Sequence, residues 1–148
     1  MKALLAKLAT TTPNSADIGL LIIRVWFGLV MAFAHGWGKM FGDSTKFVGF
    51  LDKQGFPAPE VMAVFAGLAE FVAAIFIAIG LLTRASAVPL IVTMLIAAFV
   101  VHGDHAWRKQ EFPLMYAFAF LALLISGPGR YSVDHVLKQR MGDKDTPR

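Results

Sequence analysis

The chain has 148 residues, about one domain at roughly 150 residues per domain. Hydrophobic residues make up 57% of it and charged residues 16%, with a mean hydropathy of +0.62; soluble domains run about 45–50% apolar and about 25% charged, so this balance excludes an ordinary soluble globule, a disordered chain and a low-complexity fibre. There is no cysteine, which removes disulfide scaffolds, thiol catalysis, iron–sulfur ligation and cysteine-rich zinc sites.

Taken in chain order, residues 1–9 are apolar with Lys2 and Lys7 and read as a short interfacial helix. Pro13-Asn14-Ser15 then opens the first span, residues 17–37, with Asn14 and Asp17 at capping-box spacing. Arg24 alone interrupts its apolar character, and Gly36, Gly38 and Gly42 loosen its far end. Lys2, Lys7 and Ala32-Phe33-Ala34 imitate a cleaved signal peptide, but Arg24 and the length of the stretch argue for a retained span. The second span, residues 60–82, follows Pro57-Ala58-Pro59, with Pro59 in the first helical turn and Glu70 as its one interior charge. Gly80 is placed to cap it. Only Leu81-Leu82-Thr83-Arg84 separates it from the third span, residues 85–102, so the two form an antiparallel hairpin. The fourth, residues 112–126, is short, with a start as early as Ala106, and Gly127-Pro128-Gly129 stops it. Beyond Tyr131, Ser132 is a candidate N-cap for a short basic stretch lying on the anionic cytoplasmic leaflet. The expectation is an all-α integral membrane four-helix bundle, with residues 1–148 as one transmembrane domain.

With four crossings, one side of the membrane holds Lys2, Lys7, Arg84, Arg130, Lys138, Arg140, Lys144 and Arg148, and the other holds Lys39, Lys46, Lys53, Arg108 and Lys109. The excess predicts both termini in the cytoplasm. The net charge of +4 is read the same way, as a topogenic bias and not a nucleic-acid footprint.

Arg24 and Glu70 are the candidate polar interior. A charge within a span costs about 2.5–3.5 kcal/mol or more, so it faces the bundle or a cavity. Both side chains are long enough to meet, either as a structural lock between the first two helices or as part of a proton relay or ligand pocket. Arg24, Gly28, Met31, His35 and Lys39 recur on one face of the first span, and Ala63, Gly67, Glu70, Ala74 and Ile77 on one face of the second. The small residues let backbones approach, so the two stripes are expected to face each other. His35, Lys39, His102 and Glu111 gather at the outer ends of the spans as candidate ligand or proton contacts. A pair such as His35 and His102 would suit a haem, a metal or a quinone carbonyl. No H-x-x-x-H pair and no cysteine supports haem or metal, which leaves quinone as the cofactor expected and no metal. Trp26 is expected to face lipid or a neighbouring helix, and Trp37, Trp107 and Tyr131 to sit at the interfaces. Phosphate-binding, dinucleotide, zinc-protease and nucleophile-elbow motifs are missing.

The ordered series Arg24, Gly28, His35-Gly36, Lys39, Gly67, Glu70, Gly80-Leu81-Leu82-Thr83-Arg84, His102, Glu111 and Gly127-Pro128-Gly129-Arg130-Tyr131-Ser132-Val133-Asp134 resembles the DoxX family of small four-helix bacterial membrane proteins, over residues 18–135. The resemblance implies an inner (plasma) membrane protein. It also implies quinone-linked redox chemistry, because the family takes its name from a subunit of an archaeal thiosulfate:quinone oxidoreductase, also described with a terminal quinol oxidase. It supplies no agreed catalytic residue, and without cysteine any sulfur-transfer step belongs to a partner.

Two readings follow. In the first, the chain is a quinone-linked subunit of a membrane oxidoreductase complex, with the ring in an apolar slot lined by Met31 and Phe33 and catalysis dependent on a bound cofactor or a partner protein. In the second, it is a non-enzymatic scaffold, docking a peripheral partner through the basic tail and the loop 41–60. A homo-oligomer is compatible with either; a transporter is disfavoured by the lack of repeat pairs and broken helices.

Overall fold

The computed structural model describes residues 12–142; the interfacial stretch expected at residues 1–9 lies outside them. Helix α1 runs through Pro13–Val30, a π-helical segment Met31–Gly36 and a last α-helical turn Trp37–Phe41. Helix α2 is Thr45–Lys53. Helix α3 comprises Pro59–Gly67, a π-helical segment Leu68–Ala73, and Ala74–Ile79. Helix α4 is Thr83–Ile96, extended by a π-helical segment Ala97–Val101; α5 is Trp107–Ser126 and α6 is Val133–Gly142. No strand occurs among the described residues.

The four long helices pack as a bundle, α4 most extensively on α5, and α1 on the second half of α3. Three of them, over Asn14–Phe41, Pro59–Ile79 and Thr83–Val101, are long and apolar enough to cross a membrane. The fourth expected span is weaker. Helix α5 begins at Trp107, so Arg108, Lys109 and Glu111 occupy its opening turns. The apolar remainder from Phe112 would be roughly 22 Å long, against a hydrocarbon core of about 30 Å. Apolar side chains pointing outward suit a lipid-facing surface: Trp26, Phe118 and Ile125 are 66%, 66% and 71% exposed.

The predicted stripes meet. Arg24, Gly28 and Met31 are buried on α1, and Ala63, Gly67, Glu70, Ala74 and Ile77 on α3. A Cβ on Gly28 would lie 2.7 Å from the Ala74 carbonyl oxygen, and one on Gly36 would overlap the Glu70 backbone, so the two helices touch backbone to backbone.

The start of α1 differs from expectation. Its capping box is Thr12 with Ser15: the Ser15 N–H donates to Thr12 Oγ1 at 3.2 Å, and the Thr12 N–H to Ser15 Oγ at 3.1 Å. Asn14 and Asp17 serve a tertiary purpose instead. Asn14 Oδ1 accepts the Tyr131 hydroxyl at 2.7 Å, and Asp17 Oδ1 accepts the Arg130 N–H at 2.9 Å. At the far end of α3, Gly80 is left-handed at φ +72°, as the sequence suggested. The bonds Leu81 N–H to Phe76 O at 2.9 Å and Gly80 N–H to Ile77 O at 3.1 Å complete a Schellman cap.

Leu82, at φ +46°, enters α4 in a left-handed conformation unfavourable for its side chain. It is held there from a distance. The Asp134 carboxylate accepts the Leu82 N–H at 2.7 Å, the Thr83 N–H at 2.9 Å and the Thr83 hydroxyl at 3.0 Å, so a residue of α6 caps α4. Ser132 does cap α6, accepting the His135 N–H at 3.1 Å. Residues 133–142 of the basic segment are therefore a helix whose start is bonded into the bundle.

Candidate functional site

The polar residues divide into two clusters at different depths. Because Gly36 sits against Glu70 on the antiparallel α3, Arg24, twelve residues earlier, lies roughly 18 Å away along the axis. Arg24 and Glu70 accordingly do not meet, contrary to the expectation that they could.

Arg24 is fully buried at the Gly80 turn, where its Nη2 donates to the Tyr131 carbonyl and Asp134 supplies the facing charge. Its Nε and Nη1 have no hydrogen-bond partner among the described residues. This cluster gathers Arg24, Gly80, Thr83, Tyr131, Ser132 and Asp134, and has the character of a structural clasp around the α3–α4 turn.

Glu70 belongs to the other cluster. Lys39 Nζ lies 2.6 Å from both of its carboxylate oxygens, with Glu70 3% and Lys39 25% exposed. The ammonium also stands 4.6 Å from the centre of the Phe47 ring. The pair opens on a cavity of about 590 Å³ between α1, α3, α4 and α5, overlaid by α2. Its walls are mainly apolar, with Met31, Phe65, Met94 and Phe112 among them. His35, Lys39, Glu70, His102 and Tyr116 bring polar groups to it. The volume falls in the usual ligand-pocket range of about 300–1,000 Å³.

Local structure explains how these groups converge. The π-helical segments of α1, α3 and α4 all contribute to the cavity wall: Met31 and His35 from the first, Ala69 and Glu70 from the second, Ala97 and Val101 from the third. A π turn carries an extra residue and re-aims the side chains that follow it, and such turns recur at functional sites. The His35 ring packs 5.7 Å from both Phe112 and Tyr116. His102 sits in the turn after α4, which Gln110 of α5 secures by donating to the carbonyls of His102 and Gly103, each at 3.0 Å. The His102 Nδ1 is buried without a partner. Burial pushes the His102 imidazole below its ordinary pKa, and nearby His105 and Lys109 add to the shift. Asp43 ties down the start of α2, accepting the Thr45 hydroxyl at 2.6 Å and its N–H at 3.0 Å.

Of the site residues expected, then, His35, Lys39, Glu70 and His102 come together around one space, while Arg24 and Glu111 do not. Glu111 is exposed on α5 and lines no part of the cavity. Met31 lines it as expected, but Phe33 turns outward, 56% exposed, against Trp37 and Phe71. Sequence reasoning missed Tyr116, Gln110 and the lid residues Phe47, Phe50 and Leu51. The last three had a legible signal, an apolar face at helical spacing inside a stretch read as a loop. No group of three or more metal-ligating side chains occurs among the described residues.

Comparison with known proteins agrees with this architecture. The family model described as DoxX matches residues 19–103. The chain is 31% identical over 130 residues to the inner membrane protein YqjF of Escherichia coli strain K12, covering 84% of this chain and 95% of that protein. It is 36% identical over 127 residues to the inner membrane protein YphA of the same organism, covering 78% and 87%. It is 30% identical over 136 residues to the uncharacterized membrane protein Rv3486 of Mycobacterium tuberculosis, covering 82% of each. No solved structure matches.

Proposed function

This chain belongs to the DoxX family, and from that premise we propose that it is a quinone-binding subunit of a membrane oxidoreductase complex. It is a multi-pass inner-membrane protein. The observation that carries the proposal is the apolar cavity of about 590 Å³ with the Lys39–Glu70 pair, His35 and His102 in its wall.

A quinone ring fits these residues on two counts. Its planar apolar body suits walls of Met, Phe and Ala, and its carbonyls need donors. Lys39 and His35 offer donors from one helix and His102, whose Nδ1 lacks a partner, offers one from across the space. When bound, a quinone would supply an acceptor for two electrons and two protons. The chain's own residues would orient the ring, exclude water and hold a proton at Glu70 or His102. No cysteine is available for sulfur chemistry, so any sulfur-transfer step would belong to a partner, and electron delivery would need a bound cofactor or a partner protein.

Both termini are assigned to the cytoplasm, with α5 crossing as a short fourth span beside α4. This rests on the eight-to-five excess of Lys and Arg and on the close packing of α5 along α4. The scaffold reading ranks second, because part of each docking surface is already engaged within the bundle: Phe47, Phe50 and Leu51 of α2 line the cavity, and the start of α6 is bonded to α4 through Asp134, while most of the rest of both stretches is exposed.

Native mass spectrometry of protein extracted gently from its own membrane tests the assignment. A co-purifying mass equal to the membrane's quinone is expected, with the complex weakened in Glu70→Gln while the fold persists. Lipid alone, or a folded Glu70→Gln protein with undiminished quinone binding and turnover, would overturn it.

A further inference from the structure

Side chains cover the cavity on two sides, and one seam of its wall is loosely packed. Helix α2 overlies it from the end of the bundle with Phe47, Phe50 and Leu51. The seam between α1 and α5 is filled by the ring contacts of His35 with Phe112 and Tyr116 at 5.7 Å. The seam between α3 and α4 is different. The first half of α3, Pro59–Gly67, packs on α2 and on the last turn of α1, but not closely on α4. Two stripes border this gap, each at steps of three, four and seven: Met62, Phe65, Ala66 and Ala69 on α3, and Pro89, Val92, Thr93 and Ile96 on α4. Phe65 and Val92 line the cavity and are 62% and 50% exposed. Both lie within helices that meet the requirements for crossing a membrane, so what touches their outer side is hydrocarbon.

We propose that the ligand enters sideways from the bilayer through this gap, and that its single hydrocarbon or isoprenoid tail stays in the gap while its head reaches Lys39, Glu70 and His102. The inference rests on the quinone reading and adds a route, a tail requirement and two residues that set it, Ala66 and Val92. A tail in this position exchanges lipid contacts for helix contacts, so it adds little affinity of its own. Its role is geometric: a head fixed at the polar end leaves the tail this exit.

The test compares a tail-less benzoquinone with its decyl-tailed homologue, both substituted at every ring carbon so that neither adds a thiol, by calorimetric titration of the purified full chain in lipid nanodiscs. Ala66→Phe and Val92→Phe narrow the gap; Val64→Phe, on a 61%-exposed position of α3 that does not line the cavity, is the control. Narrowing is expected to weaken the tailed probe about tenfold, roughly what one misplaced side chain in a tight site costs. It should leave the tail-less probe and the control unchanged. Because the chain has no cysteine, a single Val92→Cys gives a second readout that does not depend on a bulky substitution. The tailed probe should protect it from a lipid-soluble maleimide, and the tail-less probe should not. Equal losses for both probes, or no protection by the tailed one, would overturn the lateral route and leave the quinone site standing. If neither probe binds the unaltered protein, both fall.

Discussion

Lys39 reaches Glu70 from the last turn of α1, one ammonium serving both carboxylate oxygens at 2.6 Å. The backbone of Glu70 is pressed against Gly36, one turn before Lys39, so a single close approach of the two helices sets the pair's geometry. Desolvation makes such a pair a weak net stabiliser, but an isolated survivor is costly. Lys39→Met alone should destabilise the folded protein by about 3 kcal/mol, the lower end of the range for breaking a buried pair, because Lys39 is one-quarter exposed. The double variant Lys39→Met/Glu70→Met should lose much less than the sum of the singles. Thermal unfolding of the four proteins in nanodiscs measures the coupling; strict additivity would mean that the two charges do not support each other.

The same helix contact predicts opposite outcomes for two glycines of α1. Gly28→Ala places a methyl 2.7–2.9 Å from the Ala74 carbonyl, the Ala78 nitrogen and the Ala78 side chain, mostly rigid backbone. The helices must separate, at about 1–3 kcal/mol. Gly19→Ala meets nothing within 4 Å and should gain up to about 1 kcal/mol from helix propensity. Melting temperatures that move together in the two variants would contradict this packing.

Much of this architecture is legible in the sequence, for a physical reason. In a membrane protein, small and polar residues at helical spacing mark the inward face, and ten positions from Arg24 to Ile77 fall into two such stripes. What periodicity leaves open is axial register. No tight turn joins α1 to α3, so the sequence offered Arg24 as the partner for Glu70 where the structure has Lys39; the choice is made by where Gly28 and Gly36 let the backbones touch. Three π turns also escape a reading based on a 3.6-residue period, and they help bring His35, Glu70 and the end of α4 to one cavity. Asp134 was legible only as a member of the family-like ending, because its hydrogen bonds connect residues 51 and 52 positions apart.

That long-range cap gives a local prediction. Asp134→Ala removes three hydrogen bonds from the start of α4 and the charge facing Arg24. A lost N-cap costs about 0.5–2 kcal/mol, and the strained Leu82 entry places this one at the upper end. Amide exchange should accelerate at Leu82 and Thr83 while the Lys39–Glu70 end of the bundle stays protected. Uniform acceleration would show that the C-terminal clasp supports the whole fold and not this turn alone.

The final prediction concerns acid. Burial first, then His105 and Lys109, hold the His102 imidazole below its ordinary pKa, which is about 6.5 in an unfolded chain. The folded state therefore resists a proton that the unfolded state accepts. The stability tied to this residue is fully present above about pH 6.5 and is lost as the pH falls toward the lower folded value. The slope is at most about 1.4 kcal/mol per pH unit, and smaller here because the ring is only partly buried. His102→Gln removes the titration and keeps a polar side chain at the cavity. Its melting temperature, followed from pH 8 to pH 5, should decline less steeply than that of the unaltered protein. An identical acid limb in the two proteins would place the responsible proton elsewhere.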